Sequence, residues 1–344
     1  MCHHNINSMK FSVGHLPTGS ISDFISLSKS SEDLGYDTLF IADHATKQNP
    51  YAMLSLAASN TTRINLGTGV TNPYSRSPLL TASAISTINS ISNGRAILGL
   101  GAGGHGISNF SYKKQNPIST LKNSVELIRS LLNSQTISDS GEPFNITNAK
   151  LDFKSLNKIP IYLAGRGPKL LELAGAIADG AIAGAGLTSV DAMEYATNRV
   201  KLGAKSAGRN FKDIDLVCWS FLSICHDRDT ALDAVAPFTA QLVQDAVPRS
   251  TLESFGISAK SIDSVLSIEN INSLTKLELR NKVPREIIEL FAIAGTPQQC
   301  LDHVLKLSDI GISHFSILPF NNSENTVIDS IELFHDYVIQ EIQS

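Results

Sequence analysis

A closed (β/α)8 TIM barrel is the fold this sequence predicts, and three observations carry that expectation. Short β-branched or aliphatic runs alternate with longer helical patterns along the chain, which is how βα units around a parallel sheet read. Eight strand candidates with intervening helices over 344 residues suit a closed barrel better than an open doubly wound sheet. Glycines gather just past the strand ends, at the face where such barrels place their chemistry.

The strands are expected at Lys10–Gly14, Thr38–Ile41, Ile64–Gly67, Ala96–Gly99, Ile161–Ala164, Gly180–Ala183, Leu216–Cys225 and His314–Leu318. Helices are expected at Ile21–Leu34, Tyr51–Ser59, Leu79–Ile91, Ile118–Leu132, Lys169–Ala178, Val190–Ala207 and Pro297–Ile310. Residues 228–291 are too long for one crossover and read as several helices, among them Thr230–Val247 and Arg285–Ala292. They form an expected α-helical insertion before the eighth strand. No repeat or linker marks a second domain, so one barrel is expected over residues 9–344, with residues 1–8 as a disordered polar extension.

Composition removes several function classes. Net charge is −4 and no run of Lys or Arg occurs, so neither nucleic acid nor an anionic membrane surface is an expected partner. The four cysteines, Cys2, Cys218, Cys225 and Cys300, form no C-x-x-C pair and no zinc-like spacing with His. No disulfide framework or metal is expected, and the reduced cytoplasm is the expected location. The start MCHHNINSMKF has no apolar h-region, and no apolar run reaches the roughly 18 residues that a membrane span needs.

The residues after each strand carry the chemistry. Asp43-His44 follows the second strand, Thr68-Gly69-Val70-Thr71-Asn72-Pro73 the third and Gly101-Ala102-Gly103-Gly104-His105 the fourth. Gly165-Arg166-Gly167-Pro168-Lys169 follows the fifth strand and Gly184-Ala185-Gly186 the sixth. In AGRGPKLLELAG a glycine turn leads into a helix with Pro168 at its first position. Free N–H groups there, with Lys169 beside them, suit a phosphate. A plain βα turn in which glycine only permits tight packing reads as well. Gly99-Leu100-Gly101-Ala102-Gly103-Gly104 departs from the dinucleotide spacing, and no acidic residue follows about twenty positions on. Asp43-His44 is either a catalytic pair or a polar loop opening. Arg76 and Arg95 read as structural, Trp219 and Tyr51 as core or pocket wall.

The strings IADHATKQNPYAML, LGTGVTNPYSRSPLLTASAISTINSISNGRAILGLGAG and PIYLAGRGPKLLELAGAIADGAI resemble the bacterial-luciferase-like superfamily, in particular its F420-dependent methylenetetrahydromethanopterin reductase subgroup. The resemblance implies a homodimeric or larger barrel oxidoreductase that transfers a hydride between coenzyme F420 and a small organic substrate, such as a methylene-tetrahydropterin. An FMN-dependent luciferase-like monooxygenase is the alternative, and a non-catalytic coenzyme-binding barrel the reading from another class. Carried over by position, the resemblance sets Asp43 and His44 beside the coenzyme ring. Thr68 to Asn72 then carry a non-prolyl cis peptide at Gly69-Val70 behind that ring. Gly101, Ala102 and Gly103, Ala164 to Lys169, and Ala183, Gly184, Ala185 and Gly186 hold the coenzyme tail and phosphate. Two departures matter: the reductases resembled carry carboxylates where this chain has Gly14-His15 and Gly104-His105. His44, backed by Asp43, is therefore the first expected proton carrier, His105 the second and His15 the third.

Overall fold

The computed structural model describes residues 9–103, 116–140 and 144–344. The expected extension over residues 1–8 and the candidate His105 lie outside the described residues. All eight expected strands are present, with bounds within two residues of expectation. They are β1 (Lys10–His15), β2 (Thr38–Ile41), β3 (Asn65–Thr68), β4 (Ala96–Gly101), β7 (Ile161–Gly165), β8 (Gly180–Ala183), β9 (Asp215–Ile224) and β11 (His314–Pro319). Among the described residues three further strands were not expected: an antiparallel pair, β5 (Ile137–Asp139) and β6 (Ile146–Ala149), and the short β10 (Ala292–Gly295).

The sheet runs β9-β11-β1-β2-β3-β4-β7-β8, and β8 pairs back to β9, so a ring of eight strands closes with β10 attached alongside β9. The registers are parallel, with Ser12 opposite Thr38, Thr38 opposite Asn65, Leu66 opposite Ala96 and Leu98 opposite Ile161. The fold is therefore the TIM barrel that the strand count predicts.

Helices α1 (Ile21–Asp33), α2 (Pro50–Asn60), α3 (Pro78–Ile91), α4 (Pro117–Leu132), α5 (Pro168–Ile177) and α6 (Val190–Ser206) lie between the strands. Their starts are written locally. Ser20, Asn49 and Ser77 each accept a backbone N–H with the side chain, and Pro50 and Pro78 stand in the first turn, where no N–H is needed. Residues 228–291 hold α7 (Arg228–Ala246), α8 (Arg249–Ser254), α9 (Ala259–Leu266), α10 (Lys276–Lys282) and α11 (Arg285–Phe291). After β10, α12 (Pro297–Asp309) leads to β11, and the chain closes with α13 (Val327–Phe334), a π turn over His335–Ile339 and α14 (Gln340–Gln343).

Two compact units are distinguished. One takes the described residues up to Phe11, Ala183–Thr197 and Val217–Ser344, and the other Ser12–Ile182 with Asn198–Leu216. Inside the second, the rings of Phe40 and Tyr162 approach to 6.4 Å although β2 and β7 are not neighbours, so they meet across the interior. A Cβ at Gly67 would stand 2.7 Å from the Phe40 ring, and one at Gly180 would stand 2.7 Å from Tyr162. Those strand glycines make room for an aromatic plug beneath the carboxyl ends.

Candidate active site

The carboxyl ends of β2, β3, β4 and β7 adjoin within the Ser12–Ile182 unit. Past β3 the Asn72 carboxamide oxygen accepts from Tyr74 N at 3.0 Å and Ser75 N at 2.9 Å, and Ser77 then caps α3. TNPYSRSP is thus an Asx turn running into a capped helix. The turn returns Arg76 to the end of β2. There its Nε donates to Asp43 Oδ2 at 2.6 Å and its Nη2 to Oδ1 at 3.1 Å, while the Thr71 hydroxyl donates to Oδ2 at 2.6 Å.

Arg76 lies 5.3 Å above the Tyr51 ring centroid, a cation–π contact. Hydrogen bonding to Asp43 holds the Arg76 guanidinium above its ordinary range. Burial, with the Asp43 charge second, pushes the Tyr51 phenol up to about 12, so it stays protonated. Its hydroxyl is buried without a formed hydrogen bond. One expectation changes here. Arg76, read from sequence as structural, is the partner of the candidate carboxylate, and Asp43 accepts from both Arg76 and Thr71. Arg95 does serve the fold, donating to the carbonyls of Ser92, Ile64, Ala58 and Thr61.

The Gly69–Val70 peptide is cis. Thr68 is fully buried, donating to Gly99 O at 2.8 Å and accepting from Gly99 N at 2.9 Å, so its hydroxyl is spent within the fold. A Cβ at Gly99 would stand 2.1 Å from Thr68 O and 2.9 Å from Val70 Cγ1, and one at Gly101 would stand 2.8 Å from Val70 Cγ2. The glycines of β4 are therefore seats for Val70 beside its cis peptide, a packing role that the sequence alone did not show. Gly101 pairs with Ala164, which carries the arrangement on to the end of β7.

At that end, α5 starts at the N-cap Gly167 with no side-chain cap, Pro168 in its first turn and nothing within 4 Å of a Cβ at Gly167. An uncapped start of this kind leaves backbone donors for an anion. Lys169 is exposed beside it. Arg166 is drawn down by burial to about 10, which leaves it charged near neutrality. Ala183 to Gly186 fall in the other unit, where Gly184 and Gly186 take φ of +74° and +106° in a 3-10 turn that favours glycine.

The family model for luciferase-like monooxygenases matches residues 6–314. The chain belongs to that family. Within it, the chain is 36% identical over 309 residues to a 5,10-methylenetetrahydromethanopterin reductase from Archaeoglobus fulgidus, covering 89% of this chain and 92% of the relative. It is 27% identical to an F420-dependent glucose-6-phosphate dehydrogenase from Amycolatopsis mediterranei, covering 85% and 86%. A solved F420-dependent tetrahydromethanopterin reductase from Methanopyrus kandleri superposes with a TM-score of 0.86 at 28% identity, covering 97% and 99%. The resemblance read from TNPYSRSP and its neighbours holds.

The histidines of this luciferase-like chain separate by position. His44 lies past β2 and is half-buried, in a turn closed by Lys47 N donating to its carbonyl at 2.9 Å. His15 packs 5.1 Å from Phe24 of α1, so alternation along β1 turns it to the helix layer and Gly14 to the opposite face. It therefore does not stand in for the missing carboxylate. Burial pulls His15 down to about 4 from 6.5, and its Nε2 is buried without a partner. Between those values the unfolded chain takes up a proton that the folded chain refuses, so stability from this group is present above pH 6.5 and is lost as pH falls toward 4. His15→Gln should flatten the loss in urea unfolding free energy between pH 7 and 5; an unchanged slope would contradict the buried neutral imidazole.

Proposed function

We propose that this chain is an oxidoreductase that moves a hydride between coenzyme F420 and a small organic substrate. The observation that carries the reading is the Asp43–Arg76–Thr71 cluster beside the glycine-backed Val70 side chain, in a chain 36% identical to the methylenetetrahydromethanopterin reductase of Archaeoglobus fulgidus over 89% of its length. A bound deazaflavin would supply the two-electron chemistry, and the protein would supply position and protons. The Gly69–Val70 segment would line the coenzyme site, and His44 would carry the proton, since imidazole titrates near working pH.

The uncapped start of α5 takes the coenzyme phosphate through backbone N–H groups, with Lys169 adding charge. Because Lys169 is exposed, Lys169→Ala should leave folding intact and weaken coenzyme affinity by about tenfold, or about 1.4 kcal/mol, read by fluorescence titration. An unchanged dissociation constant would remove the phosphate from this helix start.

A methylene-tetrahydropterin is the first substrate to try. Gly14 brings no side chain to the end of β1, so the panel extends to alcohols, sugar phosphates and other small carbonyl compounds. Anaerobic turnover followed through the coenzyme's visible absorbance tests the reading. F420-linked turnover of at least one panel member supports it; oxygen-consuming turnover with FMN alone replaces it with a monooxygenase.

A further inference from the structure

Asp43 and Arg76 are unequally placed toward anything that enters the site. The Asp43 side chain is 3% exposed and that of Arg76 is 28% exposed. Asp43 Oδ2 already accepts from Arg76 Nε and Thr71 Oγ1, and Oδ1 accepts from Arg76 Nη2. The carboxylate is walled in by its own donors. The guanidinium is not: of the five N–H donors of an arginine, the described residues engage Nε and one Nη2 hydrogen. Tyr51 covers one face of the group, and among the described residues no hydrogen bond takes the Nη1 edge.

We infer that Arg76, rather than Asp43, is the member of the pair that touches the bound ligand, and that the ligand presents an anionic or carbonyl oxygen to it. This rests on the coenzyme-dependent reading above. The chemistry of the pair narrows the ligand group. Asp43 cancels the net charge of Arg76, so long-range attraction for a polyanion is weak and what remains is a rigid, directional donor edge. Such an edge suits a planar carbonyl or a delocalised oxyanion, which occurs in a deazaflavin ring system and in oxidised organic substrates alike. Asp43 then fixes the fork, as a positioning residue.

The test compares wild type with R76K, R76M and the double variant D43N/R76M. The double variant removes both halves of the pair, so no buried charge is left alone. Wild type is first titrated with F420 and with FMN, and the variants are then compared on whichever coenzyme it takes up. The expected result is that D43N/R76M regains thermal stability relative to R76M, yet both bind or react at least about tenfold more weakly, with R76K recovering only part of the loss. A rise in the coenzyme dissociation constant assigns the oxygen to the coenzyme; a rise in KM alone, with that constant and kcat unchanged, assigns it to the substrate. Wild-type dissociation constant and KM in a stable D43N/R76M would overturn the inference, making the pair an internal brace. Uptake of FMN in place of F420 overturns the function proposed above while the variants still decide Arg76, and uptake of neither overturns both.

Discussion

Replacing Gly99 by Ala is expected to disable coenzyme binding and to lower stability by about 2–3 kcal/mol, at the upper end of what overpacking costs. The added Cβ would lie 2.1 Å from Thr68 O and 2.9 Å from Val70 Cγ1. The first of these is backbone and cannot rotate away. Thr68 is held to Gly99 in both directions, at 2.8 and 2.9 Å, and Thr71 N donates to Gly99 O at 3.0 Å. The bulge must therefore move as a whole, and Thr71 with its bond to Asp43 moves with it. Gly167→Ala is the matched control for stability alone, since nothing lies within 4 Å of its Cβ and its φ is −74°. Urea unfolding of both variants and coenzyme titration of Gly99→Ala check this. A Gly99→Ala protein with wild-type affinity would show that the Val70 bulge is not part of the site.

The second large effect is expected at His44. His44→Asn keeps hydrogen-bonding capacity but cannot titrate, so turnover should fall by about a hundredfold or more, within the range of a lost general acid or base. Coenzyme affinity should hold, and the limb of the pH–rate profile near neutrality should disappear. Measurement from pH 5 to 9 with saturating coenzyme reads all three. His105→Asn is the comparison. Full turnover with an unchanged profile in His44→Asn, and loss in His105→Asn, would move the proton to His105; full turnover in both would end the histidine mechanism.

The barrel was legible because each of its eight strands is a short apolar run set between turn residues, and because capped starts such as Ser77-Pro78 announce the helices. What sequence left out has physical reasons. β10 starts at Ala292 directly after α11 ends at Phe291, so no turn residue separates strand from helix and the expected helix ran on into Ala292. The C-terminal helices carry buried Ile331, Phe334, Val338 and Ile342, but the π turn over His335–Ile339 widens the spacing within that run.

In the site, features set by local sequence were legible, and pairings between distant positions were not. Asp43, the Val70 bulge and the uncapped α5 start sit at strand ends, where a barrel places function. Arg76 lies 33 residues beyond Asp43, and nothing in the TNPYSRSP string says which carboxylate its turn will meet. The packing role of the β4 glycines was hidden for the same reason, since the atoms that crowd them, Thr68 O and Val70, belong to another strand end.

Binding of a deazaflavin at these strand ends is tested most directly by equilibrium titration of the purified chain with F420 and with FMN, followed by fluorescence under anaerobic conditions. Saturable F420 binding at least about a hundredfold tighter than FMN, a difference of about 2.7 kcal/mol, is the expected result. FMN binding as tight as or tighter than F420 would contradict it.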